Sequence, residues 1–249
     1  MRLHRLVLLL AFVSVGAPAL ASSFVVVPNN RASTAGNGTD SVGPGAEPDT
    51  RFQELYGGGQ FLPIGSPILI DQFAWRVAPG TGVFDATFAN VDLYMSTSPR
   101  FPNLNGGASA LMSETFADNV GPDNTLVYHG PVTMVSPGCA GPAPCPFDLV
   151  VTLQTPFFYD PLQGRLLLDF RVSGIFGVVH SFWDDDDYGG GFGSIASVGG
   201  PLGAIAGDFS ASGDITQFRY TAVPEPATMT LLLTGLGAAA AARRRRVAR

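Results

Sequence analysis

Ile68-Leu69-Ile70-Asp71-Gln72-Phe73-Ala74-Trp75-Arg76-Val77, at residues 68–77, is the stretch that decides the fold. Side chains of a strand alternate between two faces. Leu69, Asp71, Phe73, Trp75 and Val77 fall on one face, and Ile68, Ile70, Gln72, Ala74 and Arg76 on the other. Branched and aromatic residues fill the run, which suits a pleated, half-buried surface. The same period of two recurs downstream. Thr87, Ala89, Val91, Leu93 and Met95 alternate with Phe88, Asn90, Asp92, Tyr94 and Ser96. Phe147, Leu149, Val151 and Leu153 alternate with Asp148, Val150, Thr152 and Gln154, and Leu166, Leu168, Phe170 and Val172 with Leu167, Asp169 and Arg171. Further strands are expected over 126–134, 174–182 and 216–222, punctuated by Gly and Pro clusters. One short helical pattern, at 109–118, interrupts them. The pattern predicts an all-β chain: a single antiparallel β-sandwich, jelly-roll-like, over residues 51–222, with an open barrel as the second reading. Residues 22–50, with Asn29-Asn30, Gly36-Asn37-Gly38 and Gly43-Pro44-Gly45, read as a flexible N-terminal arm.

The two ends of the chain follow another logic. Met1-Arg2-Leu3-His4-Arg5 is a short positive region, Leu6 to Val15 is apolar, and Ala19-Leu20-Ala21 is a small-x-small cleavage site. That pattern reads as a signal peptide over residues 1–21. At the other end, Val223-Pro224-Glu225-Pro226 precedes an uncharged stretch, 227–242, and then Arg243-Arg244-Arg245-Arg246. As a helix the uncharged stretch reaches about 24 Å, slightly short of a ~30 Å hydrocarbon core. It is expected to form a transmembrane helix, with snorkelling arginines on the cytoplasmic side and the preceding chain outside. The order of motif, apolar segment and Arg cluster resembles the PEP-CTERM sorting signal of Gram-negative bacteria. The resemblance implies recognition by an exosortase, a membrane transpeptidase-like protease, and cleavage near the motif. The tail would then hold the protein only transiently at the inner membrane. The family is associated with bacteria that make extracellular polysaccharide.

Without its two ends the chain changes character. Residues 22–222 hold seven arginines, no lysine and nineteen acids, a net charge of −12, against −6 for the whole chain. Such a surface repels nucleic acid and anionic lipid, so no nucleic-acid partner is expected. The two cysteines, Cys139 and Cys145, lie in a proline-rich stretch, Pro137-Gly138-Cys139-Ala140-Gly141-Pro142-Ala143-Pro144-Cys145-Pro146. Export and an even count predict a disulfide that pins a proline-rich turn.

Candidate chemistry concentrates at residues 183–188. Asp184, Asp185, Asp186 and Asp187 follow Trp183 and precede Tyr188 and a glycine run. Four carboxylates on a glycine-rich loop suit Ca²⁺, although no EF-hand spacing is present, and a run of like charges is more commonly a solvated loop. Trp183 and Tyr188 are candidate glycan contacts beside that loop, whereas Trp75 is expected in the core. No catalytic residue is assigned. His129 and His180 lie in no recognisable motif, and the body has three glutamates, Glu47, Glu54 and Glu114. Nothing resembles a nucleophile elbow, a His-Glu-x-x-His zinc site or a phosphate loop. Segments 51–56, 70–76, 116–121 and 156–161 are similar to stretches of uncharacterised PEP-CTERM secreted proteins, which implies a secreted β-domain. The expectation is an exported cell-surface or extracellular-matrix protein, not an enzyme, structural or adhesive in an exopolysaccharide layer. A Ca²⁺-assisted carbohydrate-binding module and a secreted hydrolase are the alternatives.

Overall fold

The computed structural model describes residues 21–40, 49–104, 107–178, 183–187, 193–223 and 234–237. Thirteen strands lie among them: β1 (Ser23–Val27), β2 (Gly38–Asp40), β3 (Asp49–Tyr56), β4 (Ile68–Trp75), β5 (Phe84–Ser98), β6 (Thr125–Ser136), β7 (Leu149–Tyr159), β8 (Arg165–Val178), β9 (Trp183–Asp187), β10 (Ile195–Pro201), β11 (Asp208–Ser210), β12 (Ser212–Asp214) and β13 (Thr216–Ala222). They form antiparallel sheets in the orders β1-β13-β4-β7, β11-β10-β3-β8-β5-β6 and β12-β9-β2. The chain is all-β, as its alternation predicts. The helical pattern at 109–118 yields one turn, α1 (Phe116–Asn119). Residues 174–178 extend β8 rather than starting a new strand.

One buried cluster draws on both larger sheets. The four-stranded sheet gives Val27, Phe73, Trp75, Val151 and Phe218, and the six-stranded sheet gives Tyr56, Phe88, Leu93, Met134 and Phe170. Edge-on ring contacts cross between the sheets, Trp75 to Phe170 at 5.7 Å and Tyr56 to Phe218 at 4.9 Å. Leu166, Leu167 and Leu168 are all buried, because the other face of the six-stranded sheet is covered as well. There Met112 and Phe116 pack on Leu55, Leu167, Ala196 and Val198. The segments 51–56 and 116–121 meet on that face. Arg51 lies over the Phe116 ring, and Asn119 Nδ2 donates to Gln53 Oε1 at 2.9 Å.

Two strands depart from the expected faces, for the same reason. In β4 the large buried side chains are Ile68 and Ile70, then Phe73 and Trp75, with the small Ala74 buried between the last two; Leu69 is exposed. Asp71 has no opposite number on β13, where Gln72 faces Arg219 and Ile70 faces Tyr220. A bulge adds one residue, and one residue reverses the parity of every side chain beyond it. In β5 the inward set passes from Phe84, Ala86 and Phe88 to Val91, Leu93 and Met95, across a register shift against β6.

Two parts of the expected flexible arm, Ser23–Val27 and Gly38–Asp40, are instead paired into sheets, while its residues 41–48 lie outside the described residues. β1 pairs with β13 along its whole length, and β2 pairs with β9. Hydrogen-bonded ladders, and an ion pair from Arg31 to Asp186, hold residues that turn chemistry alone marks as loose. Residues 1–20 of the predicted signal peptide and most of the predicted transmembrane stretch 227–242 lie outside the described residues. Among the described residues no helix is long and apolar enough to cross a membrane.

Candidate functional site

The aspartate run forms a strand rather than a solvated loop. Aspartate is a poor strand former, so tertiary contacts must hold β9 in place. Its backbone is laddered on both sides, by β2 and β12. Asp184 and Asp186 share one face, as their spacing requires. Each meets its own arginine: Arg76 Nε donates to Asp184 Oδ2 at 2.6 Å, and Arg31 Nε donates to Asp186 Oδ1 at 2.7 Å. The Gly36 amide adds a bond to Asp184 Oδ1 at 2.8 Å. Arg76 is fully buried and donates also to the carbonyls of Arg31 and Thr34. Burial pulls the Arg76 guanidinium below its ordinary value, against the pull of Asp184. Burial pushes the Asp186 carboxyl above its ordinary value, and the bond from Arg31 only partly offsets this.

Asp185 is buried on the opposite face, and Asp187 is exposed at the strand end, where Asn37 brackets its backbone with two hydrogen bonds. Among the described residues no group of three or more His, Cys, Asp or Glu side chains is arranged to hold a metal ion. Trp183 does not present itself to a glycan. It is 1% exposed and packs on Trp75 at 5.4 Å and Phe84 at 5.5 Å. Its strand position places it on the core face, opposite the arginine-paired aspartates. Tyr188 and His180 lie outside the described residues. Trp75 is in the core, as expected.

The other polar candidates lie apart from this strand. Glu54 is buried on β3 and accepts a short hydrogen bond from Tyr56 Oη, which also lies 2.9 Å from Thr216 Oγ1. Burial, with Glu54 adding to it, holds the Tyr56 hydroxyl well above its ordinary value. Glu114 is exposed on the segment before α1. His129 is exposed, with Asp92 at 2.6 Å. Cys139 and Cys145 form the expected disulfide, both nearly buried, in the connection from β6 to β7.

The C-terminal strand leads directly into the sorting sequence. β13 ends at Ala222, and the Val223 amide donates to the Pro67 carbonyl at 2.8 Å, so the first residue of the motif sits beside Pro67. Residues 222–246 match the model of the PEP-CTERM protein-sorting motif. The chain carries a PEP-CTERM motif. This implies exosortase-dependent sorting of an exported protein, with a membrane-anchored precursor processed to the cell surface. Of the motif, Val223 is described and Pro224, Glu225, Pro226 and Arg243–Arg246 lie outside the described residues. No curated protein and no solved structure matches the chain.

Sequence reading missed Arg31 and Arg76 as the partners of the aspartate run. A signal was present: an acidic body with seven arginines leaves few of them unpaired. Among the described residues Arg31, Arg51, Arg76, Arg100, Arg171 and Arg219 all form ion pairs. Arg165 forms none there and instead lies over the Phe101 ring, 3.1 Å from its centroid. It borders a cleft of about 280 Å³ with Gly57, Gly58, Gln60, Asn103 and Ser194.

Proposed function

We propose that the body carried by this PEP-CTERM motif is a non-enzymatic structural or adhesive component of an exopolysaccharide layer. The observation that carries the reading is the direct attachment of the motif to the last strand of a single packed β-body. Cleavage near the motif would release that body, whose last strand ends at Ala222, directly before Val223-Pro224-Glu225-Pro226. Its ionic groups support the same view. Asp184 and Asp186 of β9 are taken up by arginines, and Glu54 by Tyr56. We read the four- and six-stranded sheets, which share one core, as the two layers of a β-sandwich.

The mass of the native mature protein tests the sorting. A product lacking the segment 227–249 is expected, and a product retaining it overturns the reading. Digestion of the purified polysaccharide layer tests the role. The protein is expected to co-purify with the layer and to be released with the digested polymer. Recovery as free protein in the medium, equally with and without the polymer, would sink the matrix assignment.

A further inference from the structure

We propose that the end of the body from which the tail emerges is a membrane-facing surface, seated on the phospholipid headgroups while the precursor is anchored. The inference rests on the anchored-precursor reading and on where the chain leaves the body. Only Pro224, Glu225 and Pro226 separate Val223 from the apolar stretch. Three residues span at most about 11 Å when fully extended. Whatever part of the body surrounds Val223 is therefore held against the bilayer surface.

That part of the body exposes several large apolar side chains. Pro67, which accepts the Val223 amide, borders a cleft of about 160 Å³ with Leu62, Pro161 and Leu162. Leu62 is 48% exposed and Leu162 78%. Phe158, 52% exposed, faces Leu69 across the β4–β7 ladder, and Leu69 faces Thr221, two residues before the exit. Arg165 stands at the same end, directly after Gly164, whose carbonyl approaches Gly58 on the segment leading to Leu62. It is the body arginine for which the described residues supply no carboxylate, and a lipid phosphate would fill that role. Among the described residues the acids here are Asp123 and Asp160, and Glu225 lies in the connection itself. Each aspartate accepts local bonds, from Thr97 and from the Leu162 amide, which fix its orientation while it keeps its charge. Apolar side chains at headgroup level with one cation among them are what a lipid surface accepts.

The test places a fluorophore at this end and at the far end of the full-length chain in vesicles. The natural cysteines are disulfide-bonded, so a single introduced thiol labels cleanly. Gln163→Cys marks the proposed face. Val135→Cys, at the opposite end of the β5–β6 ladder, is the control. With quencher lipids labelled near the headgroup, quenching at 163 is expected to exceed that at 135 at least threefold. Leu62→Asp with Arg165→Gln is expected to cut this ratio by half or more. Equal quenching at both positions in a chain that floats with the vesicles overturns the proposal alone. A chain that fails to float overturns the anchored reading, and the proposal with it. Contrast that appears only when the exosortase is reconstituted alongside assigns the face to the protease and overturns the lipid assignment.

Discussion

Arg76 ties distant parts of the chain together from a buried position. It is 1% exposed, bonds Asp184, and ties the segment around residues 31–34 to β4 through two carbonyls. Removing one member of a buried pair leaves the other charge without compensation, at a cost of about 3–5 kcal/mol. Arg76→Met is expected to destabilise the mature protein by that amount in chemical denaturation, and Arg76→Met with Asp184→Leu to recover most of it. A single variant within about 1 kcal/mol of the natural protein would sink this account. Asp169 shows the pH side of the same chemistry. Burial pushes its carboxyl up, but bonds from Arg51 and Arg171 outweigh this and hold it below the ordinary value. A depressed carboxylate contributes stability above its unfolded value, and that contribution is lost as pH falls through the folded one. Stability is therefore expected to decline below about pH 4, and Asp169→Asn to be less stable at neutral pH but flatter across that acid range. Acid denaturation of the two proteins, followed by circular dichroism, checks both.

At the level of elements, most of the β structure was legible and its faces only in part. Alternation reads correctly along 149–153, and it finds β4, β5, β6 and β13 within a few residues. Bulges at Asp71 and near Ala89–Asn90 then reverse which residues point inward, and nothing in the local composition announces an extra residue. The N-terminal segment failed for a different reason. Its Gly and Asn residues read as flexible, yet some of those glycines are small because backbone passes against them. A methyl group on Gly36 would lie 2.0 Å from the Asp185 carbonyl oxygen and 2.9 Å from Asp184 Oδ1. Gly36→Ala is accordingly expected to cost about 1–3 kcal/mol and to speed proteolysis within 31–40. A flexible arm would tolerate the change without effect. The aspartate run was equally opaque: its arginine partners lie 108 and 155 residues away in sequence, beyond any local pattern.

At the level of the whole molecule, the body has two unlike ends, and this bears on what happens at cleavage. The disulfide lies beyond the start of β5, near residues 80–81, and the tail leaves at the other end, beside Pro67. Three partly exposed side chains, Leu62, Phe158 and Leu162, each contribute roughly 1 kcal/mol on entering a lipid interface. Their sum is less than the marginal, reversible binding given by a single acyl chain. While the tail holds the body at the surface, effective concentration makes such a weak contact persist. Once the tail is cut, the contact stands alone, and the net charge of −12 opposes it on anionic lipid. The released body is thus expected to leave the membrane completely, whereas the precursor stays. Vesicle sedimentation of the two forms at equal concentration checks this, with the precursor in the pellet and the mature body in the supernatant. Replacing both cysteines by alanine is expected to lower stability by ~2 kcal/mol without moving either form between fractions, because the bridge and the membrane-facing surface sit at opposite ends. A mature body that still sediments with the vesicles would mean that the surface binds lipid by itself, and cleavage would then not be the step that frees the protein.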